Sequence, residues 1–514
     1  MKELNLGKNT IAIIASKLCT IITGILITRI LVLNLSHNDY GFYVFIWSIS
    51  STLFFADLGM GLAAQKKTAE FLVHQDFKKL SNEISTIFFF YLSFLVLFCL
   101  INYFGISPFL EYFLKLEVSP DKLPRYQELF FICTTVIAFN FTISFFREVI
   151  IGLHKTYIIN SCLVINQLTY LGVILLFERF DLGLRFLIMA VPGNQTLLFI
   201  FFIFLAKRLI PDLHISPKNC SMKTFKKILS FSLHAYAQAV IVIVQKNIFH
   251  IAIGALVGTV TVGMYQIANK AQEIMKMLND FYQANVLPST SYLHKLNKIE
   301  ELKKFIINSN RLIFFTGTCS FFAFYFLTTP LLYIWLDVTN LTIQNTAKYL
   351  VIDVYLRVIF SSVNTGYLIM SGREKQATKF AIIDIALNTI SAIIVLEFLG
   401  MVAMVAIKIP ITIGTQFWGI QRLTNSTLHL SMYEYFKKCI LRTGLVSILP
   451  AVSLFYFVAN QELESWTLSK FVIASSTYGI TFILLGYIFV LLPEDRKLLR
   501  EKFPKLKFLF FDIF

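Results

Sequence analysis

Lys270, Glu273, Lys276 and Asp280 follow one another at spacings of 3, 3 and 4 residues. At helical pitch they form one stripe of alternating charge, with Gln266 a turn before it. Neighbouring members can pair along a helix. The stripe is therefore either a self-neutralised ladder or a polar wall whose pairs exchange partners with an ionic ligand. A second stripe, Asp353, Arg357, Ser361 and Asn364, has spacings of 4, 4 and 3. It allows the same two chemistries: an internal Asp353–Arg357 pair, or groups offered to a ligand or a coupling ion. A third motif is "AVPGNQ" (190–195). There Pro192 removes a backbone hydrogen bond and Gly193 loosens the helix, with Asn194 and Gln195 at hand for the freed groups. It predicts a kink or hinge, with Pro410 as its counterpart later in the chain.

These groups lie in strongly apolar surroundings. Of the 514 residues, 56% are apolar and 15% charged, and Phe alone occurs 53 times. Apolar runs recur along the whole chain, and a helix needs about 20 such residues to cross a bilayer. Helices satisfy their own backbone hydrogen bonds in lipid, so the expected fold is an all-α polytopic membrane protein. Fourteen spans are predicted: about 10–35, 40–63, 84–106, 128–146, 157–177, 184–206, 229–254, 262–287, 308–329, 349–370, 380–398, 401–420, 440–458 and 471–492.

The net charge of +16 reflects topology. Of the 46 Lys and Arg, 30 fall in the termini and loops of one side, 7 on the other, and 9 within spans. Basic loops stay cytoplasmic, which predicts both termini inside. The charges are spread over eight short segments and form no single basic face, so nucleic acid is not an expected partner. Membrane lipids are, and the tail 493–514 reads as a basic interfacial amphipathic segment.

The intramembrane cations are Lys17, Arg29, Lys246, Lys270, Lys276, Arg311, Arg357, Lys408 and Arg442. Each costs about 2.5–3.5 kcal/mol at a helix centre on insertion scales. Arg311 and Arg442 stand near span ends and can snorkel, and Arg29, in "ILITRILVL" (25–33), has that option too. Lys246, Lys270, Lys276 and Arg357 are deeper. No Cys-x-x-Cys pair, metal-ligand spacing of His, Gly-rich phosphate loop or ATPase motif is present. No metal or cofactor is expected, no enzyme is predicted, and an ion gradient or the membrane potential is the expected energy source.

A weak internal repeat organises the chain. "LNLSHNDYGFY" (33–43) aligns with "ALVGTVTVGMY" (255–265), matching Gly41 to Gly263 and Tyr43 to Tyr265. "FERFDLGLRFLIMAVP" (177–192) resembles "LEFLGMVAMVAIKIP" (396–410). Six spans separate equivalent positions, so the copies share one orientation, as in transporters that bind at a repeat interface. The expected organisation is an N-lobe at 1–206, a basic linker at 207–228, a C-lobe at 229–421 and an added pair of spans within 439–492. The lobes are expected around a central cavity.

The stretch "ITRILVLNLSHNDYGFYVFIWSISSTLFFADLGMGLAAQKKTAE" (27–70) resembles the opening of the polysaccharide (O-antigen type) flippases. These belong to the multidrug/oligosaccharidyl-lipid/polysaccharide exporter superfamily. Arg29, Tyr40–Gly41, Asp57-Leu58-Gly59-Met60-Gly61, Lys66–Lys67 and Ala69–Glu70 match the family pattern. "VLPSTSYL" and "PLLYIWLD" are similar to the second half, and the likeness fades over the last two spans. The chain departs at Lys246, where many relatives carry an acid.

The resemblance implies an alternating-access flippase of the bacterial cytoplasmic (inner) membrane. Its substrate would be a polyprenyl-diphosphate-linked oligosaccharide, with H+ or Na+ as coupling ions and polysaccharide polymerase machinery as a partner. A diphosphate diester carries about two negative charges, which cannot be buried unpaired. Arg29, Lys246, Lys270 and Arg357 are the expected contacts, since Arg grips phosphate oxygens bidentately and Lys acts as a point charge. Glu273, Lys276, Asp280, Asp353 and Asn364 are the expected coupling or cavity residues. Asp57 is expected to order the end of span 2 near Lys66 and Lys67. A drug/cation antiporter and a membrane glycan polymerase are the alternatives. The first wants acids where this chain offers mostly cations; the second wants a larger outer loop than 107–127.

Overall fold

The structure, a computed structural model, describes residues 6–114, 123–296, 298–491 and 496. Among them no strand occurs, and seventeen α-helices make up most of the structure. Nine contain a stretch long and apolar enough to cross a membrane. The chain is an all-helical multi-pass membrane protein. Large apolar side chains such as Phe104, Phe204, Phe398 and Leu449 are exposed on the outer faces of their helices, as hydrocarbon surroundings require. The tail 497–514 and loop 115–122 lie outside the described residues, as does the amphipathic character expected of that tail.

The chain forms two compact units, Met1–Met264 and Tyr265–Phe514. The first holds α1 (Leu6–Asn34), α2 (His37–Ser51), α3 (Met60–His74), α4 (Phe77–Leu114), α5 (Leu123–Gly152), α6 (Thr156–Phe180), α7 (Gly183–Leu209) and α8 (Met222–Leu256), with the start of α9 (Thr259–Lys295). Its core gathers on α5. Phe141, Phe145, Phe146 and Val149 meet Met60, Ala63 and Ala64 of α3, Tyr91 of α4 and Phe202 of α7. The Tyr91 and Phe145 rings stack with centroids 5.6 Å apart.

Helix α8, expected to open the second lobe, packs on α2, α3 and α4 of this first unit. The linker before it is tied down. Ser81 and Ser85 accept the backbone N–H groups of His214 and Ser216, at 3.2 Å each.

The second unit holds the rest of α9, then α10 (Ile299–Leu336), α11 (Leu341–Met370), α12 (Glu374–Ala406), α13 (Lys408–Thr412), α14 (Arg422–Thr427), α15 (Met432–Tyr435), α16 (Arg442–Ala459) and α17 (Leu468–Phe489). Wide π-helical turns fill Ile413–Gln421 and Phe436–Leu441. The core runs along α11, where Val351, Val354 and Val358 pack with Ile306 and Ile313 of α10 and Ile420 of the first π segment.

Three local features refine or depart from the predicted spans. Span 2 is not one helix: α2 ends in a 3-10 turn (Thr52–Asp57), and Leu58 and Gly59 take left-handed φ before α3 begins. Spans 11 and 12 are divided by Gly400 alone, at φ 77°. Gly183, its counterpart in the repeat, also has a left-handed φ of 69°, which favours glycine at both positions. In α7, Asn194 does not serve its own helix. It bonds α6 instead, donating to the Asn166 carbonyl at 3.2 Å and accepting from Thr169 at 2.8 Å. The Pro192 carbonyl receives the Asn140 amide at 2.9 Å and the Thr196 hydroxyl at 3.0 Å, so side chains hold the helix around the proline.

Candidate functional site

In the first unit the family motif builds a crossing and a cap. Gly41 permits close approach: a methyl there would stand 2.1 Å from the Thr259 carbonyl oxygen. A Cβ on Gly263 would stand 3.1 Å from the Cα of Gly41, so the two glycines matched by the repeat meet each other. Tyr40 is buried beside them.

Asp57 accepts the Gly61 N–H at 3.2 Å, capping α3, and also accepts the Tyr91 hydroxyl. Gly59 lies against Ser232 of α8, where any Cβ would stand 2.7 Å from a carbonyl oxygen. The motif therefore sets the break in span 2, where Asp57 was expected to order the span's end near Lys66 and Lys67. Beyond it, where α3 has left the apolar stretch, Lys67 bonds Glu70 at 2.9 Å and Glu83 of α4 at 3.2 Å. Burial works against the Lys67 charge, but these two carboxylates outweigh it and raise its pKa. Hydrogen bonding from Lys67 lowers that of Glu70.

Arg29 is exposed on α1, one residue past the buried Thr28. Lys246 lies on α8, and its side chain is outside what the structure describes, as is that of Asp280 on α9. Earlier on α9, Lys270 bonds Glu273 at 2.9 Å, and Asn269 donates to the same carboxylate at 3.2 Å. Lys276, a turn away, is exposed. The first pair of the charged stripe is thus internal to the helix.

The second unit buries an ionic quartet that joins three rods. Arg357 of α11 donates Nη1 to Asp384 of α12 at 2.7 Å, Nε to Asp353 at 3.2 Å and Nη2 to the Thr412 hydroxyl at 2.8 Å. Lys408 of α13 reaches Asp353 at 3.3 Å. Thr412 donates to Asp353 at 2.5 Å and Thr415 to Asp384 at 2.6 Å. Two carboxylates meet two cations, so the formal charge is zero. The side chains of Asp353, Asp384 and Lys408 are at most 6% exposed, while Arg357 keeps 25%. Such an arrangement holds helices in register.

Along the same face of α11, Asn364 continues the predicted stripe into an amide layer. It donates to Gln421 at 2.6 Å and accepts from Asn310 of α10 at 3.1 Å. Sequence reasoning found Asp353, Arg357 and Asn364 but did not bring in Asp384, Thr412 or Thr415. The signal for Asp384 was present: with Asn388 it makes an i, i+4 polar pair inside a long apolar run. Lys408 was recognised as an intramembrane cation, yet its partner on α11 lies 55 residues away, beyond any local spacing rule.

Comparison with known proteins gives the fold and the family. No curated protein matches the sequence. Among solved structures, one described as the lipid II flippase MurJ in an inward closed conformation superposes with a TM-score of 0.72 at 13% identity. The match covers 93% of this chain and 98% of that one. An inward-facing multidrug resistance MATE family transporter of the MOP superfamily gives 0.61 at 14% identity over 80% of this chain and 95% of the other. A MOP superfamily transporter from Pyrococcus furiosus, described as having a binding pocket of reverse polarity, gives 0.54 at 13% identity over 84% and 99%. At these identities the likeness establishes the fold. Residues 6–294, more than half of the chain, match the family model described as polysaccharide biosynthesis protein, and the chain belongs to that family.

Proposed function

We propose that the protein is an alternating-access flippase of a bacterial cytoplasmic membrane. It moves a polyprenyl-diphosphate-linked oligosaccharide repeat unit from the cytoplasmic to the outer leaflet for cell-surface polysaccharide assembly, of the O-antigen and lipopolysaccharide kind. Both termini are cytoplasmic, and the protein is a transporter rather than an enzyme. The observation that carries this reading is the sign of the accessible charge. Arg29 is an exposed cation inside a spanning helix, and the deepest acids of the second unit, Asp353 and Asp384, are bonded to cations, so neither offers a carboxylate to a cationic cargo.

An anionic cargo suits that arrangement; a cationic drug does not. Arg29, Lys246 and Lys270 serve as diphosphate contacts. Arg357 can take part by exchanging a carboxylate for a phosphate oxygen. With the cytoplasm negative, outward transfer of an anion gains about 2.3 kcal/mol per charge per 100 mV.

The test is the sidedness of the lipid-linked oligosaccharide in cells lacking this protein. The glycolipid is expected to accumulate in the inner leaflet, with rescue by the wild type and not by Arg29→Ala. Rescue by both would remove Arg29 from the binding machinery and keep the flippase. Normal sidedness without the protein would overturn the flippase.

A further inference from the structure

In the second unit, a cavity of about 470 Å³ is lined by Arg311 of α10 and by Tyr433, Glu434, Lys437, Lys438 and Arg442 of the α15–α16 rod. Four cations face one carboxylate, and Glu434 is itself bonded to Lys438. The lining therefore carries three positive charges in excess. The backbone explains the convergence. In the π-helical turn Phe436–Leu441, residues five apart come to one face, so Lys437 joins Arg442, while Lys438 lies one ordinary turn from it. Arg311 forms the floor, 7% exposed.

Above the cavity, Leu441, Leu445, Ile448, Val452 and Phe455 are all exposed. Their spacings of 4, 3, 4 and 3 make one apolar stripe along α16. A basic pocket at the foot of an exposed apolar stripe has the form of a phospholipid: an anionic headgroup below, acyl chain above.

We infer that this cavity binds the phosphodiester headgroup of an anionic membrane glycerophospholipid, whose acyl chain lies along the α16 stripe. The lining shares no residue with the proposed diphosphate contacts Arg29, Lys246, Lys270 and Arg357, and the site needs only that the protein be embedded in a membrane. The occupant is a bulk lipid rather than a free phosphate because a soluble anion would leave the stripe unused. The volume suits a phosphodiester headgroup.

The purified full-length protein in detergent is titrated with phosphatidylglycerol and with phosphatidylcholine of identical chains, and bound lipid is counted by native mass spectrometry. Phosphatidylglycerol is expected to bind in preference. Each basic residue near a lipid surface is worth about 1 kcal/mol, so Lys437→Gln with Arg442→Gln should weaken it about thirtyfold. The single Arg442→Gln should weaken it about fivefold, which guards against a misfolded double variant. Lys78→Gln with Lys79→Gln, an exposed basic pair on α4, should change nothing. Equal binding of the two lipids, or undiminished phosphatidylglycerol binding in the double variant, would overturn the inference. So would complete displacement by millimolar inorganic phosphate, which would mark a soluble-anion site.

Discussion

Replacing Arg357 by Gln removes the one group that bridges Asp384 and Asp353. Asp353 keeps Lys408 at 3.3 Å and the Thr412 hydroxyl, but Asp384 is left with Thr415 as its side-chain donor. Breaking a buried pair by removing one partner costs about 3–5 kcal/mol, because the remaining charge is uncompensated. Arg357 is a quarter exposed, and water screens part of this, so the lower end, about 3 kcal/mol, is expected. Asp384→Asn leaves Arg357 bonded to Asp353 and Thr412 and should cost less, about 1–2 kcal/mol. The double variant restores charge balance, with Asp353 facing Lys408 alone. It should therefore be more stable than Arg357→Gln, a coupling of about 2 kcal/mol in the double-mutant cycle. Thermal unfolding of the purified proteins in one detergent gives the order: wild type, then Asp384→Asn and the double variant, then Arg357→Gln. A double variant that unfolds at or below Arg357→Gln would refute the charge-balance argument, whatever the absolute midpoints.

Three further outcomes follow from the first unit. Gly41→Ala drives a methyl into the Thr259 carbonyl and should destabilise by about 1–3 kcal/mol in thermal unfolding, while Gly24→Ala, with nothing within 4 Å, should be silent. Asp57→Ala removes both the α3 cap and the Tyr91 partner, for a loss of about 1–3 kcal/mol; Tyr91→Phe should cost less, and the two together less than their sum. The Lys67 cluster gives a pH signature. Glu70, lowered from 4.5, stabilises above that value and loses its contribution as pH falls through its folded pKa. Lys67, raised from 10.5, stabilises below that value and loses its contribution as pH rises through its folded pKa. Stability from this cluster should be flat between about pH 5 and 10. Glu70→Gln should blunt the acid limb by less than about 1 kcal/mol, since Glu70 is partly exposed.

How much of this could be read from the chain depends on the range of the interaction. Hydropathy gave the helical membrane fold because burial in lipid acts on every run of about 20 residues. The α11 stripe was legible because Asp353, Arg357 and Asn364 share one face by helical period. Asp384 and Thr415 were not, because their place beside Arg357 is set by how α12 and the 413–421 segment pack on α11. The break in span 2 was hidden for a different reason. "DLGMG" is apolar enough to continue a span, and only the left-handed Leu58 and Gly59 disclose that a new helix begins after Asp57. Asn194 likewise has a local use open to it beside Pro192, but α6 supplies better partners.

The π-helical segment Ile413–Gln421 bears on how such a protein changes length over evolution. Inserting one residue into an α-helix turns everything beyond it by about 100°. In a spanning rod that would swing Gln421 and Asn425 away from Asn364 and toward lipid. A wide turn takes up the added residue locally and lets the far side keep its facing. The repeat carries such a difference: nine residues separate Gly183 from Pro192, and ten separate Gly400 from Pro410. The segment next to Pro410 is thus where the second copy can gain or lose a residue without unpicking the amide layer below it, and related chains should show their insertions and deletions there.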